Sequence, residues 1–283
     1  QAEKARAIAH ADRLTENVSE LGAGVSQLGQ GVTELAQTSE DIKKEMDASR
    51  PRTMSEIFTR FQNNRATIRF TSTEKPRIGN PVTRNYESKS ILISDPEGTY
   101  LVTHTADTPF AFSKNPDSIL GVQLEVTLAG NQFPIQQIAF LSADPRLLFI
   151  PLPPRYVEAS NFETFELALQ PERWEEAVLV KNDESNFGRT GFRRLTSSER
   201  FLKMERPALG ELFADFASSR GDLAFTKNSQ FIGVLSDTQH AVVIDAFLAS
   251  AIADLGSSFS PRESAATISR LKDRMRKLPN EVR

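Results

Sequence analysis

The first fifty residues carry an apolar repeat with a period of seven. Two interleaved series make up the repeat: Leu14, Leu21, Leu28, Leu35 and Ile42, and, four residues later in each heptad, Val18, Val25, Val32 and Met46. These positions fit d and a of a coiled coil, whose narrow apolar seam must be covered by another helix. The pattern therefore predicts self-association through a coiled coil over residues 1–50, in preference to a lone amphipathic helix lying on its own domain.

Glycine and alanine flank the seam, at Gly22, Gly24, Gly29, Gly31 and Ala36. Small residues at these positions let helix backbones approach closely, which favours an antiparallel or more than two-stranded bundle. Valine at a with leucine at d favours two strands instead, so the number of helices stays open.

After Pro51 the pattern changes to a linker with one short helix. Proline cannot continue the preceding helix, and a short amphipathic segment predicts a helix over residues 54–65. Residues 72–84 are rich in Thr, Pro, Lys and Arg, which is typical of a connector. The sequence thus predicts a linker over residues 51–87.

From residue 88 apolar and polar positions alternate, as in half-buried strands. Residues 90–94 and 100–103 flank an Asp-Pro-Glu-Gly turn and predict a hairpin. Further predicted strands cover residues 122–128, 133–140, 147–152, 165–169, 177–180, 222–225, 230–235 and 241–244. Many short strands joined by turns predict a mainly β fold, a sandwich or a barrel, over residues 88–245.

Helices are predicted again over residues 246–283. Residues 246–255 are apolar on more than one face, and residues 261–278 form an amphipathic pattern. The polar side of the second pattern is basic, with Arg262, Arg270, Lys272, Arg274, Arg276 and Lys277. A solvated helix face is the favoured interpretation, over a site for an acidic partner or a phosphate.

Composition narrows the chemistry. The 283 residues contain no cysteine and three histidines, and the formal net charge is -3. Thiol catalysis and cysteine-based metal sites are excluded, and we expect no metal and no cofactor. An acidic chain without a basic field predicts no nucleic-acid partner. No apolar run approaches the ~20 residues of a membrane helix.

Four stretches in order resemble the trypsin-like serine peptidases of the Deg/HtrA type. They are SILISDPEGTYLVT (90–103), VTLAGNQFP (126–134), ADPRLLFIPL (143–152), and SSRGDLAF with QFIGV (218–225 and 230–234). The resemblance implies a double β-barrel with lobes over about 88–155 and 156–245. It also implies a catalytic triad of serine, histidine and aspartate.

Counted along these stretches, the triad positions hold other residues. The histidine position falls on Ala106, the aspartate position at or near Leu147, and the serine position on Arg220. The family's Gly-Asn/Asp-Ser-Gly-Gly turn reads Ser-Ser-Arg-Gly-Asp over 218–222, so two glycines that turn N–H groups towards an oxyanion are also replaced. We therefore expect no enzymatic activity.

A shifted triad is the rival interpretation. His104 precedes the expected histidine by two residues, Asp144 lies near the expected aspartate, and Ser218 and Ser219 flank Arg220. A two-residue shift along a strand moves a side chain by about 7 Å, whereas base and nucleophile need hydrogen-bond contact. The rival hypothesis is a divergent serine hydrolase.

The remaining candidates concern binding. Arg220 either stabilises its turn by pairing with Asp222 or Asp215, or grips a ligand carboxylate at the mouth of the former substrate cleft. Trp174 lies in a polar loop, as a contact residue or as part of a packed lid. The sequence thus predicts a non-catalytic scaffold or a protein- or peptide-binding module, in the bacterial periplasm or secreted by family analogy. A structural part of a phage or secretion assembly is a further alternative.

Overall fold

A computed structural model describes residues 37–39, 51–168, 171, 176–183, 185–205 and 217–283. Residues 1–50 form one unit and residues 51–283 a second unit, which holds the whole described core. Residues 37–39 are helical. Trp174, Asp215 and the predicted seam lie outside the described residues; the seam comprises Leu14, Val18, Leu21, Val25, Leu28, Val32, Leu35, Ile42 and Met46.

Helix α1 (Met54–Asn63) opens the second unit at a capping box. The Thr53 hydroxyl accepts the Glu56 N–H at 3.2 Å, and the Glu56 carboxylate accepts the Thr53 N–H at 2.7 Å. These two bonds satisfy N–H groups that a helix start otherwise leaves free. The apolar face of the helix buries Ile57 and Phe61, so α1 is anchored at its start and along its length.

Lobe one is a ring of six strands, of which two are bent and shared between two sheets. Its elements are β1 (Arg65–Glu74), β2 (Val82–Ile91), β3 (Ile93–Asp95), β4 (Gly98–His104), β5 (Ile119–Leu128), β6 (Asn131–Ile135), β7 (Gln137–Leu141) and β8 (Leu147–Leu152). Only Leu92 separates β2 from β3, and only Gln136 separates β6 from β7. We treat β2 with β3, and β6 with β7, as single bent strands. The antiparallel pairings then run β1–β2 and β3–β4–β8–β7, and β6–β5–β1 returns to the first strand and closes the ring.

Lobe two is a closed six-stranded barrel. Helix α2 (Pro154–Ser160) and the short strand β9 (Phe165–Glu166) lead into it. Its strands are β10 (Glu176–Val180), β11 (Phe187–Leu195), β12 (Ser198–Met204), β13 (Leu223–Phe225), β14 (Phe231–Leu235) and β15 (His240–Val243), paired in the order β10–β11–β12–β15–β14–β13. Counting each bent strand of lobe one once, both lobes have the strand order 1-2-3-6-5-4.

Lobe one begins earlier than the sequence predicts. The predicted linker over residues 51–87 contains all of β1 and half of β2, so the lobe starts at Arg65 and not at residue 88. Strand β1 buries Ala66, Ile68, Phe70 and Ser72 on one side and presents polar residues on the other. Because the outward positions are Arg and Thr, the composition suggests a connector although the inward alternation is that of a strand.

The C-terminal segment also differs from the prediction. Residues 246–255 are predicted helical, but Ala249–Asp254 form strand β16, which pairs with β7 of lobe one. Alanine favours helices in isolation, and here the open edge of β7 decides the conformation. Helix α3 (Pro261–Met275) follows and buries Ile268 and Leu271 in the core of lobe one. Among the described helices, none has both the length and the apolar character that a membrane crossing requires.

Candidate functional site

The three positions at which the resemblance places a triad lie in different surroundings. Ala106 belongs to the 3-10 turn Thr105–Asp107, directly after β4. Leu147 opens β8 and is fully buried in the apolar core. Arg220 lies in the loop before β13, with 51% of its side chain exposed. None of these side chains provides a nucleophile or a general base at neutral pH.

His104 ends β4 and is buried. Its Nδ1 accepts a hydrogen bond from the Ala106 N–H at 3.0 Å, so the neutral ring carries its proton on Nε2. Nε2 makes no hydrogen bond in the described part of the chain, although the backbone of Ser236 acts to raise the pKa of the ring. Burial, followed by the positive charges of Arg220 and Arg146, lowers the pKa of His104 to about 3. The ring is therefore a poor proton acceptor at neutral pH.

Asp144 is committed to Arg146. The two side chains form a bidentate ion pair, with Nη2 to Oδ2 at 2.6 Å and Nε to Oδ1 at 3.0 Å. The Arg146 N–H also donates to Oδ1 at 2.9 Å. Asp144 is 0% exposed, so its charge is neutralised inside the protein by this pair. Among the described contacts, none joins Asp144 to His104.

The turn over residues 218–222 is closed by its own hydrogen bonds. The carboxylate of Asp222 accepts the Ser219 N–H at 2.6 Å, and the Asp222 N–H donates to the Ser219 carbonyl. The Gly221 N–H donates to the Leu235 carbonyl at 2.8 Å. Three of the five amides in this turn thus have partners within the protein and are not available to an oxyanion.

Asp222 itself is a buried acid. Burial raises its pKa to about 6, against opposing hydrogen bonds from the backbones of Ser219 and Asn182. The sequence interpretation of Asp222 as a partner of Arg220 is not what the structure shows. Asp222 faces the amides of its own turn and of residue 182, and it holds the turn in place.

Arg220 has an acidic neighbour from the other lobe. Its Nη2 lies 3.8 Å from Oδ1 of Asp107, the residue that follows Ala106. Burial raises the pKa of Asp107, and the charge of Arg220 opposes that rise. This pair spans an interlobe cleft of 330 Å³, whose wall includes Lys89 from lobe one and Lys181, Asn182 and Asp222 from lobe two. Arg220, at the position predicted for the serine, is thus paired with Asp107, which follows the position predicted for the histidine.

The two candidate serines of the shifted triad have other partners. The Ser218 hydroxyl donates to the Thr238 carbonyl at 2.7 Å. The Ser219 hydroxyl accepts from Nζ of Lys181 at 3.1 Å. In the described residues neither hydroxyl contacts His104, so the structure does not bring together the members of that triad. The sequence gives no indication that Lys181 belongs to the site. The residue follows β10, and only the fold of lobe two brings the end of that strand to the cleft.

A metal ion needs several ligand side chains gathered around one point. The described residues contain no group of three or more His, Asp or Glu side chains able to hold an ion. The polar groups of the cleft instead form pairs and turns among themselves.

The mainly β fold, with two rings of the same strand order, fits a trypsin-like fold. No protein-family model and no curated protein sequence matches this chain. Among solved structures, the chain is similar to the crystal structure of Deg5, at 14% identity and a TM-score of 0.39, over 68% of this chain and 88% of that one. A similarity this low says nothing about residue roles or function, which are inferred only from the geometry of this chain.

The buried histidine makes stability depend on pH. Because the pKa of His104 is lowered to about 3 in the fold and is ~6.5 when unfolded, its stabilising contribution is full above pH ~6.5 and is lost as pH falls towards 3. We expect the contribution to fall by about 2 kcal/mol between pH 7 and pH 5. Urea unfolding of wild type and His104→Gln at both pH values should show the variant losing less stability by about that amount. An equal loss of stability in wild type and His104→Gln between the two pH values would contradict the assignment.

Proposed function

We propose that this protein is a non-catalytic trypsin-like pseudoprotease that acts as an oligomeric scaffold and binds a protein or peptide partner in its interlobe cleft. One observation supports the loss of catalysis above all. The position of the nucleophile holds Arg220, which is paired with Asp107, while the nearest histidine is buried with a pKa of about 3. A triad needs an activated hydroxyl in contact with a basic ring, and the cleft instead contains compensating charges.

The nature of the cleft supports binding. Arg220 is half exposed, and Lys89, Lys181 and Asn182 line the same space. The cleft is also lined by the carboxylates of Glu87, Asp107, Asp183 and Asp222. The three cations can pair with carboxylates or backbone carbonyls of an inserted segment, and the four acids can pair with its cations or accept its N–H groups. The Asp107 carboxylate competes for Arg220, so a ligand must replace an ion pair 3.8 Å long, which is weak when partly exposed.

Labelling with a fluorophosphonate probe tests the catalytic half of the proposal. We expect no covalent adduct and no peptide cleavage under conditions in which trypsin reacts fully. Labelling that is lost in Ser218→Ala or Ser219→Ala, or peptide cleavage that is lost in His104→Ala, would establish the rival hydrolase. Since Lys181 contacts Ser219, Lys181→Met extends the test: labelling that also disappears in this variant identifies Lys181 as the group activating that hydroxyl.

Mass measurement tests the oligomeric half. We expect light scattering of the full chain to give a multiple of 31.5 kDa, and residues 51–283 alone to be monomeric. Residues 51–283 contain the entire described core, so circular dichroism should show them folded. If residues 51–283 associate to the same extent as the full chain, residues 1–50 are not what causes assembly.

A further inference from the structure

A second cleft, which shares no lining residue with the interlobe cleft, lies between the β1–β2 hairpin and the loop over residues 114–118. Its volume is 590 Å³, within the range of small-molecule sites. Its charged lining, called the basic cleft below, comprises Glu74, Lys75, Arg77, Arg84, Lys114 and Asp117. Four cations and two acids give it a net charge of +2, on a chain whose overall charge is -3.

Glu74 is the fixed centre of the basic cleft. Its Oε1 accepts hydrogen bonds from the hydroxyls of Ser72, at 2.8 Å, and Tyr86. Nζ of Lys114 lies 3.5 Å from the same oxygen, and Nε of Arg84 lies 3.4 Å from Oε2. Burial raises the pKa of Glu74, but these hydrogen bonds and the charge of Lys114 outweigh it, so the pKa is below its ordinary value. A buried, ionised carboxylate therefore holds Arg84 and Lys114 in position.

The cations retain donors for a ligand. Arg84 meets Glu74 through Nε and is 58% exposed, so its terminal nitrogens remain as donors at the surface. Lys75 and Arg77 line the same space and are exposed. Lys272 of helix α3 does not line the cleft, but its Nζ donates to the Lys114 carbonyl at 2.8 Å and so supports the loop that carries Lys114. Glu74 and Asp117 together balance two of the four lining cations, and the remaining net charge of +2 attracts an anion.

We propose that the basic cleft binds a phosphate group carried by a small organic molecule or a lipid headgroup. A phosphate dianion matches the net charge of +2, and a guanidinium supplies parallel N–H donors that fit its oxygens. Pro76 and Val82 provide an apolar wall for the carbon skeleton beside it. This site is independent of the interlobe cleft and of whether that cleft is catalytic.

Ile78 is expected to contribute to binding a lipid but not to binding a soluble phosphate ester. It is 93% exposed in the connection between β1 and β2, next to Arg77. A fully exposed isoleucine beside cations can enter the apolar part of a membrane surface while the cations meet headgroups. A soluble phosphate ester would make no use of it.

Calorimetry of the full chain with glycerol 3-phosphate, and sedimentation with phosphatidylcholine vesicles containing phosphatidic acid, test the proposal with the same phosphomonoester group in soluble and lipid form. We expect binding in at least one arm, weakened at least about tenfold by Lys75→Glu with Arg77→Glu. These two side chains make no described contact with Glu74, so the fold should be retained. Ile78→Ser should weaken vesicle binding alone if a lipid is the source, and should change neither arm if a soluble ester is.

The matched control is Arg193→Glu with Arg200→Glu, which makes the same change in charge at exposed positions of lobe two. It should leave binding within about threefold of wild type, since distant surface charges are screened by salt. The proposal is overturned if neither probe binds, if the control weakens binding as much as the cleft variant, or if uncharged glycerol binds as well as its phosphate.

Discussion

Replacing Arg146 with methionine should lower the free energy of unfolding by about 3–5 kcal/mol. Asp144 is 0% exposed, and Arg146 supplies both its counter-charge and two of its side-chain donors. Removal of the guanidinium leaves a buried carboxylate with no compensating charge, which is among the most destabilising changes a core can undergo. Urea unfolding followed by circular dichroism measures the loss.

Two further variants test whether burial of the Asp144 charge causes this loss of stability. Asp144→Asn combined with Arg146→Met removes the charge while keeping a carbonyl for the backbone N–H of position 146, so most of the lost stability should return. The exposed pair Arg276–Asp273 has a similar N–O distance, 3.0 Å, with side chains 74% and 67% exposed. Arg276→Met should cost less than about 1 kcal/mol. Equal losses in Arg146→Met and Arg276→Met would refute the explanation.

Gly233→Ala should be the most damaging single-methyl addition in lobe two, with a loss of about 3 kcal/mol. A Cβ at Gly233 would lie 1.7 Å from the backbone carbonyl oxygen of Val242, on the neighbouring strand β15. Backbone in a closed barrel cannot move aside as a flexible side chain can, because each strand is paired on both sides. The free energy of unfolding from urea titration is the measurement.

Gly121 in β5 provides the matched control. A Cβ there would have nothing within 4 Å, and alanine restricts the unfolded chain more than glycine does. Gly121→Ala should therefore leave stability unchanged or raise it by up to about 1 kcal/mol. A comparable loss at both glycines would show that alanine is unfavourable in these strands for a reason other than the contact with Val242.

The sequence predicts a strand best where few of its residues are charged. Strand β5 contains one charged residue, Glu125, and strand β14 none, and the predicted strands 122–128 and 230–235 cover most of both. Strands β11 and β12 were missed, because arginine, glutamate and lysine occupy many of their positions and only Phe192, Leu195, Phe201, Leu202 and Met204 are buried. Barrel closure supplies the pairing that makes such polar segments strands, and no local pattern contains that information.

The candidate site shows the same limit. The order of residues along the four stretches assigns Ala106, Leu147 and Arg220 to the triad positions without any knowledge of the fold. The partners of these residues depend on the packing of two lobes. Asp107 meets Arg220 across the cleft, and Lys181 meets Ser219 from the end of β10. The sequence offers Asp222 or Asp215 as partners of Arg220; the fold turns Asp222 towards backbone amides, and Asp215 lies outside the described residues.

Strand β16 and helix α3 have a consequence for synthesis of the chain. They belong to lobe one, yet residues 153–248, which include every strand of lobe two, are translated between β8 and β16. While the ribosome makes lobe two, the edge of β7 and the surface later covered by Ile268 and Leu271 are uncovered. Exposed strand edges and apolar surface are where nascent chains associate wrongly. Lobe one is therefore first to be made and last to be completed, and a ribosome stalled before residue 249 would display it unfinished.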